Sequence, residues 1–198
     1  MTPKQSERLK GKIAAIRRTL AYERRRYGCY DDSRGLRYLP LSYYLALADY
    51  KGGLTYSKWF HKNFEDDVCF PDFLFEWTIV LFKTSNIKAA EQKAFEAFCS
   101  SQQLFGLFFS MQPEPGPGKL LPVAVAGGQL QKFFYNATQP ELADFTQWLQ
   151  AFRKSEKFVS RSSKYIKLTD RLTTEDDAEV RGYLQSHLRQ IERWDETF

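Results

Sequence analysis

The chain has 198 residues, of which 43% are hydrophobic and 16% aromatic, and its net charge is +5. This length and composition predict one folded domain with an aromatic core and argue against a disordered chain. The three cysteines are too few and too widely spaced for a disulfide framework or a zinc site, so we expect free thiols and neither a metal nor another cofactor. The longest apolar stretch is too short to span a membrane, and residues 1–30 lack a secretory signal pattern, so we expect a cytoplasmic protein.

Residues 1–28 are predicted to form a basic helix that caps the domain. Apolar residues spaced by three and four predict a helix over 4–27, and Gly28 is typical of a helix end. The predicted apolar stripe consists of Leu9, Ile13, Ile16, Leu20 and Tyr27. Residues 1–38 hold 11 Lys and Arg against 4 Asp and Glu, so the basic character of the chain belongs to this segment.

A basic patch is predicted on this helix, and three interpretations of it stay open. The patch consists of Arg17, Arg18, Arg24, Arg25 and Arg26, with Tyr22 and Tyr27 beside it. Arginines interleaved with tyrosines can contact the phosphates and bases of a nucleic acid. They can equally meet an acidic protein or an anionic surface. In the third interpretation the helix packs through its apolar stripe and its arginines are only solvated.

Residues 34–109 predict two consecutive pairs of helices. The first pair consists of an apolar helix that ends near Asp49 and a helix over 52–64. The second pair begins at Pro71, which favours a first helical turn, and its two helices are predicted over 71–83 and 87–98.

The two pairs share a pattern of turn, small and bulky residues. This pattern comprises Asp49, Tyr50 and Gly53 in the first pair, and Trp77, Leu81, Asn86, Ile87, Ala90 and Ala97 in the second. Over 34–67 and 71–104 it resembles the tetratricopeptide repeat, a helix–turn–helix unit of about 34 residues. The pairs depart from the family because Phe60 replaces a small residue and the closing proline is missing from both. Since the turns are 37 residues apart and only two units exist, the flanking helices would have to cap the array.

The resemblance implies a non-catalytic scaffold or adaptor that binds a protein or peptide, with an immunity or defence-system accessory protein as one subclass. In this family the first helix of each pair lines a concave face. The residues that the resemblance places on that face are Tyr38, Ser42, Leu45, Phe75, Ile79 and Lys83. Exposed side chains there would favour binding, whereas burial beneath later helices would mean that the chain fills its own groove.

Residues 112–137 are predicted to form a Pro- and Gly-rich insert. Its prolines break a helix over 112–122, and the rest is predicted to be either irregular or a small β-hairpin that turns at Gly127-Gly128. Helices return over 138–198.

The first of these C-terminal helices is predicted to start with a capping box formed by Thr138 and Glu141. The second is predicted over 156–172. The last is predicted to begin at Thr174 with Asp177 in its first turn.

Arg181 and His187 carry the alternative function, an RNA-directed nuclease. Their spacing resembles that of the HEPN-type ribonucleases, which are small helical proteins, and there the His is a general acid or base and the Arg steadies phosphate charge. The other interpretation is a solvated Arg and a half-buried His on the last helix. The sequence therefore predicts a mainly α protein in one domain over 1–198: a short tetratricopeptide-like array capped by N- and C-terminal helices, with one irregular or hairpin insert, and more a binding protein than an enzyme.

Overall fold

The structure is a computed structural model that describes residues 1–30, 35–110, 121–124 and 130–194. Over these ranges the protein is mainly helical, as predicted. Two short 3₁₀ turns, Leu36–Tyr38 and Pro140–Leu142, precede helices. The elements are α1 (Pro3–Tyr27), α2 (Leu39–Ala46), α3 (Tyr50–Asn63), α4 (Pro71–Lys83), α5 (Ile87–Ser100), α6 (Leu104–Phe109), β1 (Leu121–Ala124), β2 (Leu130–Phe133), α7 (Ala143–Lys154), α8 (Glu156–Thr174) and α9 (Ala178–Glu192).

Helix α1 has well-formed ends and one buried side. Thr2 and Gln5 form a capping box at its start, and Gly28, at φ +73°, ends it. Ile13 and Leu20 are buried, and α1 contacts α2 and the first 3₁₀ turn. The predicted apolar stripe is wrong at Tyr27, which is 62% exposed, because the helix ends there in an exposed last turn.

Helix α4 lies at the centre of the fold. Ten of its 13 residues are buried, and it contacts α2, α3, α5, α7 and β2. The helix begins at Pro71, as predicted, because proline has no N–H to leave unpaired in a first turn.

The helix pairs α2–α3 and α4–α5 are joined by the same turn. The N–H of Asp49 donates to the Tyr44 carbonyl at 3.0 Å, and the N–H of Asn86 donates to the Leu81 carbonyl at 2.9 Å. This six-to-one hydrogen bond is the Schellman arrangement, which needs a left-handed residue just before it. The left-handed residues are Ala48 at φ +53° and Ser85 at φ +60°, again 37 residues apart.

The helices that follow these two turns, α3 and α5, have the same length. Each has 14 residues, and both their first and their last residues differ by 37 positions. The small residues Gly53 and Ala90 also lie 37 positions apart, and both are buried. At Gly53 an added Cβ atom would lie 3.0 Å from Val80 Cγ2, so the absence of a side chain lets α3 approach α4 closely.

The described part of the insert contains two paired strands. β1 and β2 are antiparallel, with Leu121 opposite Phe133 and Ala124 opposite Leu130. The predicted turn at Gly127-Gly128 lies outside the described residues. Phe133 is buried and its ring packs on Phe75 of α4.

The C-terminal helices begin differently from the prediction. The capping box at Thr138 is wrong: the Thr138 hydroxyl donates to Asn136 Oδ1 at 2.6 Å, and α7 begins only after the 3₁₀ turn that contains Pro140. Helix α8 extends two residues beyond the predicted end. The last helix begins at Ala178 instead of Thr174, because the Asp177 carboxylate accepts from the N–H groups of Glu179 and Val180 and so caps it.

Within the described residues, no helix combines the length and the apolar character that crossing a membrane requires.

Candidate binding clefts

The predicted concave face is largely covered by the chain itself. Phe75 and Ile79 have no exposed surface. The ring centroid of Phe75 lies 5.0 Å from that of Phe108, 5.1 Å from that of Phe133 and 5.5 Å from that of Phe145. Because α6, β2 and α7 supply these rings, the groove is filled at this point, and neither Phe75 nor Ile79 can contact a partner.

Two further residues of that face hold the fold together. The Tyr38 hydroxyl donates to Asp67 Oδ1 at 2.6 Å, and Arg37 forms an ion pair with Asp67 at 2.7 Å. Burial and the neighbouring Asp67 raise the pKa of Tyr38, so it stays a neutral hydrogen-bond donor. Lys83 donates to the Glu141 carbonyl at 2.7 Å and forms an ion pair with Asp144, which attaches α4 to α7.

The remaining two predicted residues, Ser42 and Leu45, line an open cleft. This cleft, called the tyrosine cleft below, has a volume of about 350 Å³ and lies between α2 and the segment from Phe134 to Leu142. Its lining consists of Ser42, Tyr43, Leu45, Ala46, Tyr50, Phe134, Tyr135, Gln139, Glu141 and Leu142. Among these described lining residues Glu141 is the only charged one. Phe134, on the rim, is 61% exposed.

A buried carboxyl group fixes one wall of the tyrosine cleft. The Tyr135 hydroxyl donates to Glu76 Oε1 at 2.7 Å. Burial raises the pKa of the Glu76 carboxyl well above its usual value, and Asp72, one turn earlier on α4, raises it further. Burial and the same carboxyl group also raise the pKa of Tyr135. Since Glu76 is buried and does not line the cleft, its contact with Tyr135 positions a cleft residue.

A second cleft gathers part of the predicted basic patch. This arginine cleft has a volume of about 330 Å³ and is lined by Arg17, Ala21, Arg24, Arg25, Tyr30 and Trp59. Arg17, Ala21 and Arg24 are spaced by four and three residues and so lie on one side of α1. Arg18 and Arg26 do not line the cleft. The aromatic residues differ from those predicted, since Tyr22 and Tyr27 are exposed elsewhere on α1.

The structure does not bring Arg181 and His187 together. Arg181 donates from Nη1 to the carbonyls of Leu172 and Glu175, at 2.9 and 2.7 Å, and so holds the end of α8. His187 packs on Tyr183 of its own helix, with ring centroids 4.0 Å apart. Six residues on a helix also separate the two side chains by about 120° around its axis. This geometry does not favour the nuclease alternative.

Comparison of the chain with protein-family models, with curated proteins and with solved structures finds no significant match.

Proposed function

We propose that this protein is a non-catalytic, cytoplasmic scaffold that binds a peptide segment of another protein in the tyrosine cleft. The observation that carries this proposal is the position of Ser42 and Leu45. Both were predicted from the repeat pattern to face a partner, and both line a cleft that is open among the residues that the structure describes.

The equivalent turns and helices support a tetratricopeptide-like arrangement of α2–α3 and α4–α5. Each turn has a left-handed residue, Ala48 or Ser85, at a spacing of 37 residues. Each second helix presents a buried small residue near its start, Gly53 or Ala90. In such arrays the first helix of each pair lines the binding face. Here these helices are α2 and α4, and α2 keeps an accessible face whereas the face of α4 is covered. We propose that α6, β2 and α7 take the place of further repeats as the cover of α4.

The composition of the tyrosine cleft fits a peptide better than a polar metabolite. Tyrosine is enriched in protein interfaces because it offers a large ring together with one polar group. An exposed Phe134 at the rim is the kind of residue that anchors a partner. Glu141 adds one negative charge to an otherwise neutral lining. The expected ligand is therefore a segment with an apolar side chain next to a Lys or Arg.

Selection from a library of random displayed peptides tests this proposal. Wild-type protein is the bait, and the affinities of the selected peptides are measured by fluorescence anisotropy for the wild type and for Phe134→Ala. Loss of a rim anchor is expected to weaken binding at least about tenfold. Glu141→Gln is expected to weaken binding of those peptides that carry a Lys or Arg.

The matched control is Val68→Ala, which truncates another exposed apolar side chain far along the sequence from the cleft. It is expected to leave the affinities within about twofold, since exposed residues outside an interface contribute little. Peptides that bind Phe134→Ala and the wild type equally well would show that the tyrosine cleft is not their site. Failure to select any peptide would also count against the proposal.

A further inference from the structure

The arginine cleft shares no lining residue with the tyrosine cleft, and its chemistry differs. It combines three guanidinium groups with two aromatic rings in about 330 Å³. This volume is in the range of small-molecule and cofactor sites. We propose that the arginine cleft binds single-stranded nucleic acid, with phosphates on Arg17, Arg24 and Arg25 and a base against Tyr30 and Trp59.

The arginines keep their positive charge available to a ligand. Arg24 donates to the Gly28 carbonyl and lies over the ring of Tyr30 at 5.8 Å, and Arg25 Nε donates to the Ala21 carbonyl at 3.2 Å. These partners are neutral. Within the part of the chain that the structure describes, none of the three cleft arginines forms an ion pair with a carboxylate. Guanidinium groups that lack a counter-charge are suited to phosphate oxygens.

Three carboxylates lie close to the cleft in sequence. Glu23 belongs to α1, and its side chain is buried on the side of the helix that faces the protein. Asp31 and Asp32 follow Tyr30 but lie outside the described residues. The helix as a whole has nine Lys and Arg against two Glu, so its field favours an anion along its whole length.

The rings are held in fixed orientations. The Tyr30 hydroxyl donates to Asn63 Oδ1 at 2.9 Å, and the Tyr30 and Trp59 rings are nearly perpendicular, with an angle of 84° and centroids 5.9 Å apart. Trp59 also packs on Tyr56, at 5.3 Å between centroids. Both rings are half-buried, so each keeps some accessible surface. A base can stack on such a ring without sequence preference.

The rings decide between nucleic acid and an acidic peptide as the ligand. The side chains of Asp and Glu need only the guanidinium groups and have no planar ring to place against Tyr30 or Trp59. A nucleotide uses both parts of the cleft, because its phosphate and its base are a few ångströms apart. Single-stranded DNA and RNA share these groups, so the cleft is assigned to their common chemistry.

Fluorescence anisotropy with the full-length protein tests the site. The probes are fluorescein-labelled oligo-dT and oligo-U, which distinguish DNA from RNA, and a poly-Glu peptide of the same charge. We expect the oligonucleotides to bind at least about fivefold more tightly than poly-Glu, since stacking adds to phosphate contact. Three phosphate contacts predict a loss of about 20-fold in affinity between 50 and 200 mM salt.

Arg17→Gln and Arg18→Gln form a matched pair, because they remove the same charge from adjacent exposed residues and only Arg17 lines the cleft. Arg17→Gln is expected to weaken oligonucleotide binding about fivefold to tenfold and to reduce the salt slope by about 0.7, and Arg18→Gln to have less than about a twofold effect.

Equal effects of the two substitutions would overturn the site, because they would indicate diffuse attraction to α1. Tighter binding of poly-Glu than of either oligonucleotide would assign the cleft to an acidic protein instead. Phe134→Ala should leave oligonucleotide binding unchanged, so this result is independent of the peptide-binding proposal.

Discussion

Replacing Glu76 by Gln tests whether the buried carboxyl group under the tyrosine cleft reduces stability at neutral pH. Glu76 is 6% exposed, and burial is the largest cause of the rise in its pKa above the usual value of 4.5. The hydrogen bond from Tyr135 lowers that pKa but does not cancel the effect of burial. The folded protein therefore holds the Glu76 proton more tightly than the unfolded chain does. Its contribution to stability is complete below about pH 4.5 and is lost as the pH rises towards the folded-state pKa.

The size of the effect has an upper limit. From the usual value of 4.5 to pH 7 is about 2.5 pH units, and each unit changes the free energy of unfolding by at most about 1.36 kcal/mol. The limit is therefore about 3 kcal/mol. Gln is neutral, has the shape of Glu and can still accept the hydrogen bond from Tyr135. We expect Glu76→Gln to be about 1–3 kcal/mol more stable than the wild type at pH 7 and nearly equal to it at pH 4.5.

Urea unfolding followed by circular dichroism, at several pH values from 4.5 to 8, measures this difference. Partial burial also raises the pKa of Asp72. Because Asp72 is present in both proteins, its contribution to the pH dependence of stability largely cancels when the two are compared. Glu65→Gln, at an exposed loop residue, is the control and should leave the pH dependence of the wild type unchanged. A stability difference between wild type and Glu76→Gln that is the same at every pH would refute the reasoning.

Two further predictions concern the turns and the contact between α4 and α7, and the same urea unfolding measures both. Ala48→Gly and Ser85→Gly are each expected to stabilise the protein by about 0.5–1 kcal/mol, because glycine has no penalty at a positive φ, whereas Ala15→Gly in the exposed middle of α1 is expected to cost about 1 kcal/mol. Loss of stability in both turn variants would contradict the left-handed geometry. Lys83→Met keeps the aliphatic stem but removes the donors to α7, and we expect a loss of about 1 kcal/mol. Lys167→Met, at an exposed position, is the control, and equal effects of the two substitutions would argue against the contact.

The helix pairs could be predicted because their signals are local. Pro71 favours the first turn of a helix. The turns that end at Asp49 and Asn86 are closed by hydrogen bonds to residues only five positions earlier. The capping box at Thr138 failed for a local reason as well. The Thr138 hydroxyl and N–H both donate to Asn136 Oδ1, which holds Thr138 in a turn, and the helix starts only later in the chain.

The face of α4 could not be predicted in the same way. The spacing of the apolar residues Phe75 and Ile79 predicts that they share one face of a helix, but it does not predict what covers that face. The rings that cover Phe75 include Phe133 and Phe145, which come from distant parts of the chain. The repeat pattern therefore gave no information about what covers these side chains.

Only the arginines of the arginine cleft could be predicted from the sequence. The cluster from Arg17 to Arg25 is a local feature of α1, whereas Trp59 comes from α3 and meets Tyr30 through tertiary packing. The tyrosines adjacent to the arginines in sequence, Tyr22 and Tyr27, are exposed elsewhere on the helix. Neighbours along the chain were thus a poor guide to neighbours in the cleft.

The burial of α4 has a consequence for synthesis of the protein on the ribosome. Phe145, which covers Phe75, follows it by 70 residues in the chain. At a translation rate of about 5–20 residues per second, the apolar side of α4 waits roughly 4–14 s for its cover. During this interval the part of α4 that α7 covers is exposed apolar surface. A nascent chain arrested before α7 would keep that surface exposed and would be prone to aggregate.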